Sequence, residues 1–148
     1  MFRGSSFHNL DSKGRLIIPA RFRHVLKQSS ADALMLSKMD GALSCYTIDE
    51  WRKIEERVLS LAATSENMRR FRRIFIGGAH ECPLDKQGRI LIPQSLRQDI
   101  GLDKEVVLVG VLDHFEVWAR DNWAVEGEKL QADMKDEDLR NEVAELGL

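Results

Sequence analysis

Two short segments carry the residue types from which a nucleic-acid contact could be built. Asp11-Ser12-Lys13-Gly14-Arg15 and Asp85-Lys86-Gln87-Gly88-Arg89 share an Asp-x-x-Gly-Arg pattern. In such a stretch a carboxylate can accept backbone N–H bonds and order a tight turn, while glycine takes the left-handed conformation that a bulged hairpin needs. Asp11, Gly14, Asp85 and Gly88 are therefore the candidate loop-ordering residues. Arginine brings a planar fork of donors suited to phosphate oxygens or a guanine edge, which makes Arg15 and Arg89 the candidate DNA contacts. Lys13 and Lys86 stand in the same turns, at non-equivalent positions, and can each add a phosphate contact. The competing structural role, an Asp–Arg pair that only staples its own turn, is compatible with the first: Asp fixes the loop that aims Arg.

Other chemistry has little footing. His80-Glu81-Cys82 brings three reactive types together, but in an alternating segment His80 and Cys82 share one face and Glu81 takes the other. There is no glycine-rich phosphate loop, no paired-cysteine zinc spacing and no nucleophile elbow. His8, His24, His80 and His114 are scattered, whereas metal ligands cluster. The expectation is a protein that is not an enzyme, with no catalytic residues, no metal and no cofactor. Cys45 and Cys82 are too few for a disulfide framework and read as free thiols of the core.

The elements that must position the two turns follow from an internal repeat. Leu10 to Pro19 recurs as Leu84 to Pro93 at an offset of 74 residues, and Tyr46 to Trp51 is matched by Trp118 to Trp123 at an offset of 72. Self-similarity of this kind governs any fold assignment. In each half an apolar segment enters the turn, and a short β-rich run leaves it and ends at Pro19 or Pro93, each expected as the first residue of a short helix. Phe22, Val25 and Leu26, or Leu96 and Ile100, then recur at helical spacing, with Gly101 closing the second of these helices. Strands are expected around residues 34–37, 43–46, 105–111 and 114–118. Thr47-Ile48-Asp49-Glu50 has capping-box spacing and opens a helix whose stripe is Trp51, Ile54, Val58 and Leu61. Its counterpart, from about Asp121, is longer, more acidic and expected to be interrupted at Gly127, with sparse apolar positions Leu130, Met134, Leu139 and Val143. Between the halves, residues 65–75 place Met68, Phe71 and Phe75 on one helical face among Arg69, Arg70, Arg72 and Arg73, and Gly77-Gly78 stops the helix. Those arginines are expected to be paired or solvated. The expected organisation is a first module over residues 1–63, a basic helical connector over 64–78, and a second module with a C-terminal helix over 79–148.

The net charge of -2 hides a gradient. Residues 1–30 carry six Lys/Arg, Arg3 among them, against the single acid Asp11, while residues 121–148 carry nine acids against three bases. A local basic field suffices for nucleic acid, and Arg3 joins the candidate contacts on this ground. No apolar run approaches the roughly 20 residues of a spanning helix, and the N-terminus lacks the apolar stretch of a secretory signal, so a cytoplasmic protein away from the membrane is expected. Modules of about 70 residues have thin cores, which favours assembly over a free monomer.

The doubled Asp-x-x-Gly-Arg-x-x-x-Pro, the Arg-Arg-Phe-Arg-Arg connector and Gly77-Gly78-Ala79 before the second motif together resemble the MraZ family over essentially the whole chain. The resemblance implies an α+β fold of two tandem swapped-hairpin (AbrB-like) β-barrel modules with short helices, related by a pseudo-twofold repeat. It also implies a nucleoid-associated transcriptional regulator, often a repressor, acting on a division and cell-wall gene cluster that includes its own promoter. Asp11, Arg15, Asp85 and Arg89 match the family's signature positions, with the arginines on DNA. The partners implied are double-stranded DNA with short direct repeats and further copies of the chain in a closed ring. The alternative is an antitoxin-like protein-interaction module, which would more naturally carry an extended tail after one module than a second full module.

Overall fold

The computed structural model describes residues 1–61 and 65–148. The expected boundary between residues 63 and 64 lies outside the described residues. Eight strands and six helices follow in the order β1 (Ser5–Asn9), β2 (Arg15–Ile17), α1 (Ala20–Leu26), β3 (Ala33–Met39), β4 (Ala42–Thr47), α2 (Ile48–Ser60), α3 (Glu66–Phe75), β5 (His80–Pro83), β6 (Arg89–Leu91), α4 (Gln94–Asp99), β7 (Glu105–Gly110), β8 (Phe115–Ala119), α5 (Arg120–Asp133) and α6 (Glu137–Glu145), counted among the described residues. The class is α+β.

The strands exchange between the halves. One six-stranded sheet has the order β1-β7-β8-β4-β3-β5, and a separate two-stranded ribbon joins β2 to β6. Thus β1 of the first half pairs with β7 of the second, and β5 of the second pairs with β3 of the first, antiparallel in both cases. The registers obey a pseudo-twofold: Leu16 faces Ile90 at the centre of the ribbon, and Ser44 faces Glu116 at the centre of the β4–β8 pair. The large sheet is open, with β1 and β5 as its edges. Hydrogen bonding among the described residues does not close it into a barrel.

This interlocking answers the thin-core problem posed by two short modules. A single apolar cluster draws Phe2, Leu16, Phe22, Leu34 and Leu36 from the first half and Ile90, Ile92, Leu96, Leu108 and Phe115 from the second. Phe2, Phe22 and Phe115 meet at its centre with ring centroids 4.9–5.3 Å apart, in edge-on and tilted arrangements that suit aromatic quadrupoles. Cys45 and Cys82 are free and buried in the same cluster. His80 is exposed, so the alternation that put it on one face with Cys82 brings no pair together. A smaller cluster of Tyr46, Trp51 and Phe75 fastens α2 and α3 to the sheet, and the Ser37 hydroxyl donates to the Phe75 carbonyl at 2.6 Å.

The helix signals hold with four corrections, the first that Leu61, the expected end of the α2 stripe, lies past the helix as its extended C-cap and is exposed. Thr47 caps α2, its hydroxyl accepting from the Glu50 amide at 3.2 Å, but the Glu50 carboxylate pairs with Lys53 and does not complete the box. Pro19 and Pro93 are N-caps in extended conformation, one place earlier than expected; a ring that fixes φ and lacks a donor fits that position as well as the next. The acidic segment does not break at Gly127: α5 runs through it to Asp133, and the chain turns where Asp136 caps α6 by accepting from the Asp138 amide. One glycine in an exposed helix costs only about 1 kcal/mol, less than a break would. The second half therefore ends in two helices. Trp123 packs against Trp118 at 5.9 Å and holds α5 to the sheet, while no residue of α6 is buried. Among the described residues no helix is long and apolar enough to cross a membrane.

A histidine also bridges the halves. His114, in the β7–β8 connection, stacks on Tyr46 at 4.6 Å, and its Nδ1 lies 2.7 Å from the Asp113 carboxylate. Burial works against its charge, but hydrogen bonding to Glu116 and Asp113 outweighs burial and holds the imidazole above its ordinary pKa; Glu116 is correspondingly lowered, first by that same bond. A raised imidazole stabilises the fold fully below its unfolded pKa and loses that contribution as pH rises through the folded value. His114→Gln is expected to destabilise by on the order of 0.5–1 kcal/mol below pH about 6, and by less above pH about 8. Urea denaturation at the two pH values reads the difference, and an equal loss at both would rule out the charged pair.

Candidate nucleic-acid interface

Each Asp-x-x-Gly-Arg segment folds into the same turn. Asp11 Oδ1 accepts from the backbone amides of Lys13 at 3.0 Å and Arg15 at 2.8 Å, and the Gly14 amide donates to the Asp11 carbonyl at 3.0 Å. In the second turn Asp85 Oδ1 accepts from Gln87 and Arg89, both at 2.9 Å, and the Gly88 amide donates to the Asp85 carbonyl at 3.0 Å. These bonds favour the ionised carboxylates. The Arg15 amide is the largest cause holding Asp11 down to about 2, and the Arg89 amide is the largest cause lowering the pKa of Asp85. By linkage this order is present above the ordinary carboxylate pKa and is lost only as pH falls through the depressed one, so both turns stay formed at neutral pH. Gly14 and Gly88 close the turns with φ of +86° and +74°, a region that residues bearing a Cβ rarely adopt.

The second carboxylate oxygen anchors the arginine. Asp11 Oδ2 accepts from Arg15 Nε, and Asp85 Oδ2 from Arg89 Nε at 2.8 Å. Binding through Nε leaves the two Nη groups, with four of the five N–H donors, at the outer edge of the guanidinium. Among the described residues these Nη groups have no protein partner, and both side chains are partly exposed, at 32% and 24%.

The ribbon puts the two arginines on one face. Arg15 lies opposite Leu91, and Ile17 opposite Arg89. Because strand side chains alternate, Leu16 and Ile90 enter the core while Arg15, Ile17, Arg89 and Leu91 share the outer face. The arginines are then diagonal neighbours, with Cα atoms roughly 7–8 Å apart. Each turn is tied to the opposite half: the Ile18 amide donates to the Gly88 carbonyl at 2.9 Å and the Ile92 amide to the Gly14 carbonyl at 3.1 Å. Lys13 and Lys86 are exposed at the two turns. Arg3 is exposed beside Arg21, which donates to the Arg3 carbonyl and to Ser6 at the start of β1, and it makes no bond to either turn. The Arg69 to Arg73 run lies on α3, where Arg70 pairs with Glu66 at 3.1 Å.

Two further basic residues escaped the reading of the sequence. The Arg97 guanidinium lies directly against Gly14, where a Cβ would overlap it, and Arg23 stands in the same relation to Gly88, 2.8 Å from where a Cβ would sit. Arg97 is held by donating Nε to the Ile92 carbonyl at 3.0 Å. Each comes from the half opposite the turn it touches. The available signal was the repeat itself, since both halves carry arginine at the fourth residue after the proline.

The geometry defines a tandem-repeat α+β protein whose halves exchange strands to display a symmetric pair of carboxylate-anchored arginines. The family model described as "MraZ protein, putative antitoxin-like" matches residues 1–74 and again residues 75–146. The chain belongs to the MraZ family. Similar proteins named Transcriptional regulator MraZ include those of Desulforapulum autotrophicum, 53% identical over the full length of both chains, and Desulfosudis oleivorans, 49% identical over the same extent. That of Pelotomaculum thermopropionicum is 44% identical over all of this chain and 99% of its own.

Proposed function

We propose that this protein is a sequence-specific DNA-binding transcriptional regulator, a repressor of a division and cell-wall gene cluster that includes its own promoter. The observation that carries the reading is the pair of guanidinium groups, each pinned by Nε to its own turn, with Nη donors that have no protein partner among the described residues on one ribbon face. A two-stranded ribbon fits the roughly 12 Å major groove. In that pose Arg15 and Arg89 reach phosphate oxygens or guanine edges, Lys13 and Lys86 take flanking phosphates, and Asp11, Gly14, Asp85 and Gly88 hold the turns. Arg3 adds charge just ahead of β1. The names carried by the relatives support the regulatory part of the reading.

The working unit is a closed ring in the cytoplasm, associated with the nucleoid, in which successive copies engage short direct repeats. Exposed apolar side chains on α3 (Met68, Phe71, Ile74) and α5 (Val125, Leu130) offer surface for neighbouring copies. Several modest contacts then add through effective concentration. The two swapped-hairpin modules, residues 1–63 and 79–148 about a basic connector, act as paired reading heads.

A footprint of the purified protein on the DNA upstream of its own gene tests the reading. Protection of a short repeated sequence is expected, with log affinity falling against log salt by about 0.9 for each phosphate neutralised. With at least four basic groups engaged per chain the dependence is steep, and an affinity indifferent to salt would rule the interface out.

A further inference from the structure

We propose that Ile17 and Leu91 read sequence within this interface by packing against the C5-methyl groups of thymine. The inference rests on the DNA-binding reading above and assigns base readout to residues other than the arginines. Both are aliphatic and more than half exposed, at 57% and 55%, on a strand whose neighbouring residues are fully buried. They occupy equivalent places in the two halves, and the ribbon register sets each one directly opposite an anchored arginine. A solvated ribbon would ordinarily carry polar residues on its outer face, since strands with one wet side alternate apolar and polar positions.

What this small apolar pair fits is decided by its surroundings. Two side chains fall far short of the roughly 800 Å² per partner that a stable protein interface buries. The basic groups beside them favour a polyanion over a lipid or another apolar surface. In the major groove the thymine methyl is the one apolar feature that a base edge presents, and aliphatic contact is its ordinary partner. The symmetric placement predicts two such contacts, one on each side of the ribbon's pseudo-twofold. The arginines supply position and charge; Ile17 and Leu91 supply discrimination against cytosine, which lacks the methyl group.

Replacing thymine by deoxyuridine removes that methyl and leaves base pairing intact. Duplexes carrying the footprinted sequence, with each thymine replaced in turn, are titrated with the parent protein and with the I17A/L91A double variant. The parent is expected to bind about fourfold more weakly for each contacted methyl removed, the amount expected for one buried carbon. The double variant is expected to bind thymine and deoxyuridine duplexes alike, with its salt dependence and circular dichroism unchanged. Equal discrimination by parent and variant overturns the inference and leaves the DNA-binding reading standing, as does a parent indifferent to every replacement. A variant whose assembly size changes, with no methyl dependence in the parent, would assign the pair to contact between copies and overturn the inference. Failure of the parent to bind the upstream duplex at all defeats the DNA-binding reading itself.

Discussion

Arg15→Ala combined with Arg89→Ala is expected to abolish specific binding to the upstream DNA while leaving the fold and the assembly size unchanged. A well-placed bidentate arginine contributes about 1–3 kcal/mol of recognition, so each single change should weaken binding by about 5- to 150-fold and the pair by considerably more. Folding should survive because both side chains are partly exposed and paired only within their own turns, an arrangement worth little to stability. Gel shift and sedimentation read the two effects separately. Unaltered binding would reject the ribbon face, and loss of assembly would show the arginines to be interface residues. Lysine at the same positions restores charge without the fork, so partial recovery is expected from a phosphate contact and almost none from a guanine contact. Asp11→Asn separates the two jobs of the carboxylate. The amide oxygen still accepts the Lys13 and Arg15 amides, but its NH₂ group cannot accept from Arg15 Nε, so the turn should persist while the arginine loses its anchor.

How far the site was legible in the sequence depends on the range of the contact. The turn chemistry is local: Asp11 and Asp85 bond within four residues, so type and spacing carried enough information to foresee both loops. Helix starts were likewise legible, since Thr47 caps an amide three residues on. Strand partners were another matter. A period of two shows that a residue alternates faces but not which strand lies beside it, so nothing in Arg15-Leu16-Ile17 announced pairing with Arg89-Ile90-Leu91. The strand exchange came from the family resemblance, and the positions of Arg23 and Arg97 depend on it. The outward aim of Ile17 and Leu91 was hidden by their neighbours: Leu16-Ile17-Ile18 and Ile90-Leu91-Ile92 are continuous apolar runs, the pattern of a strand buried on both sides. At Gly127 local propensity was given too much weight, because α5 keeps its continuity on an exposed surface where one glycine costs little.

Phe22→Ala is the second change with a large expected effect, and its interest lies in where the damage spreads. The ring is fully buried against Phe2 and Phe115, and phenylalanine truncation in such a core costs about 3–5 kcal/mol. That is a large fraction of the 5–15 kcal/mol typical of a whole protein of ordinary stability. If the two halves were independent, only the first would weaken. They share one cluster, and the edge strands cross over: unfolding the first half removes β1 from β7 and β3 from β5, and it strips β6 of β2, its one strand partner among the described residues. The second half would be left with the β7–β8 hairpin and α5 on one of its faces, while Val106, Leu108, Phe115 and Val117 on the other face would lose the shared core and lie open to water. Phe22→Ala should therefore move the urea midpoint of the entire chain down in one transition, coincident by tryptophan fluorescence and far-UV circular dichroism. Amide exchange in β7 and β8 should accelerate together with that in β3 and β4. Retained protection in β7 and β8 alone would mean that the second half stands without the first, and the ribbon would then have to be a docking of two separately stable modules.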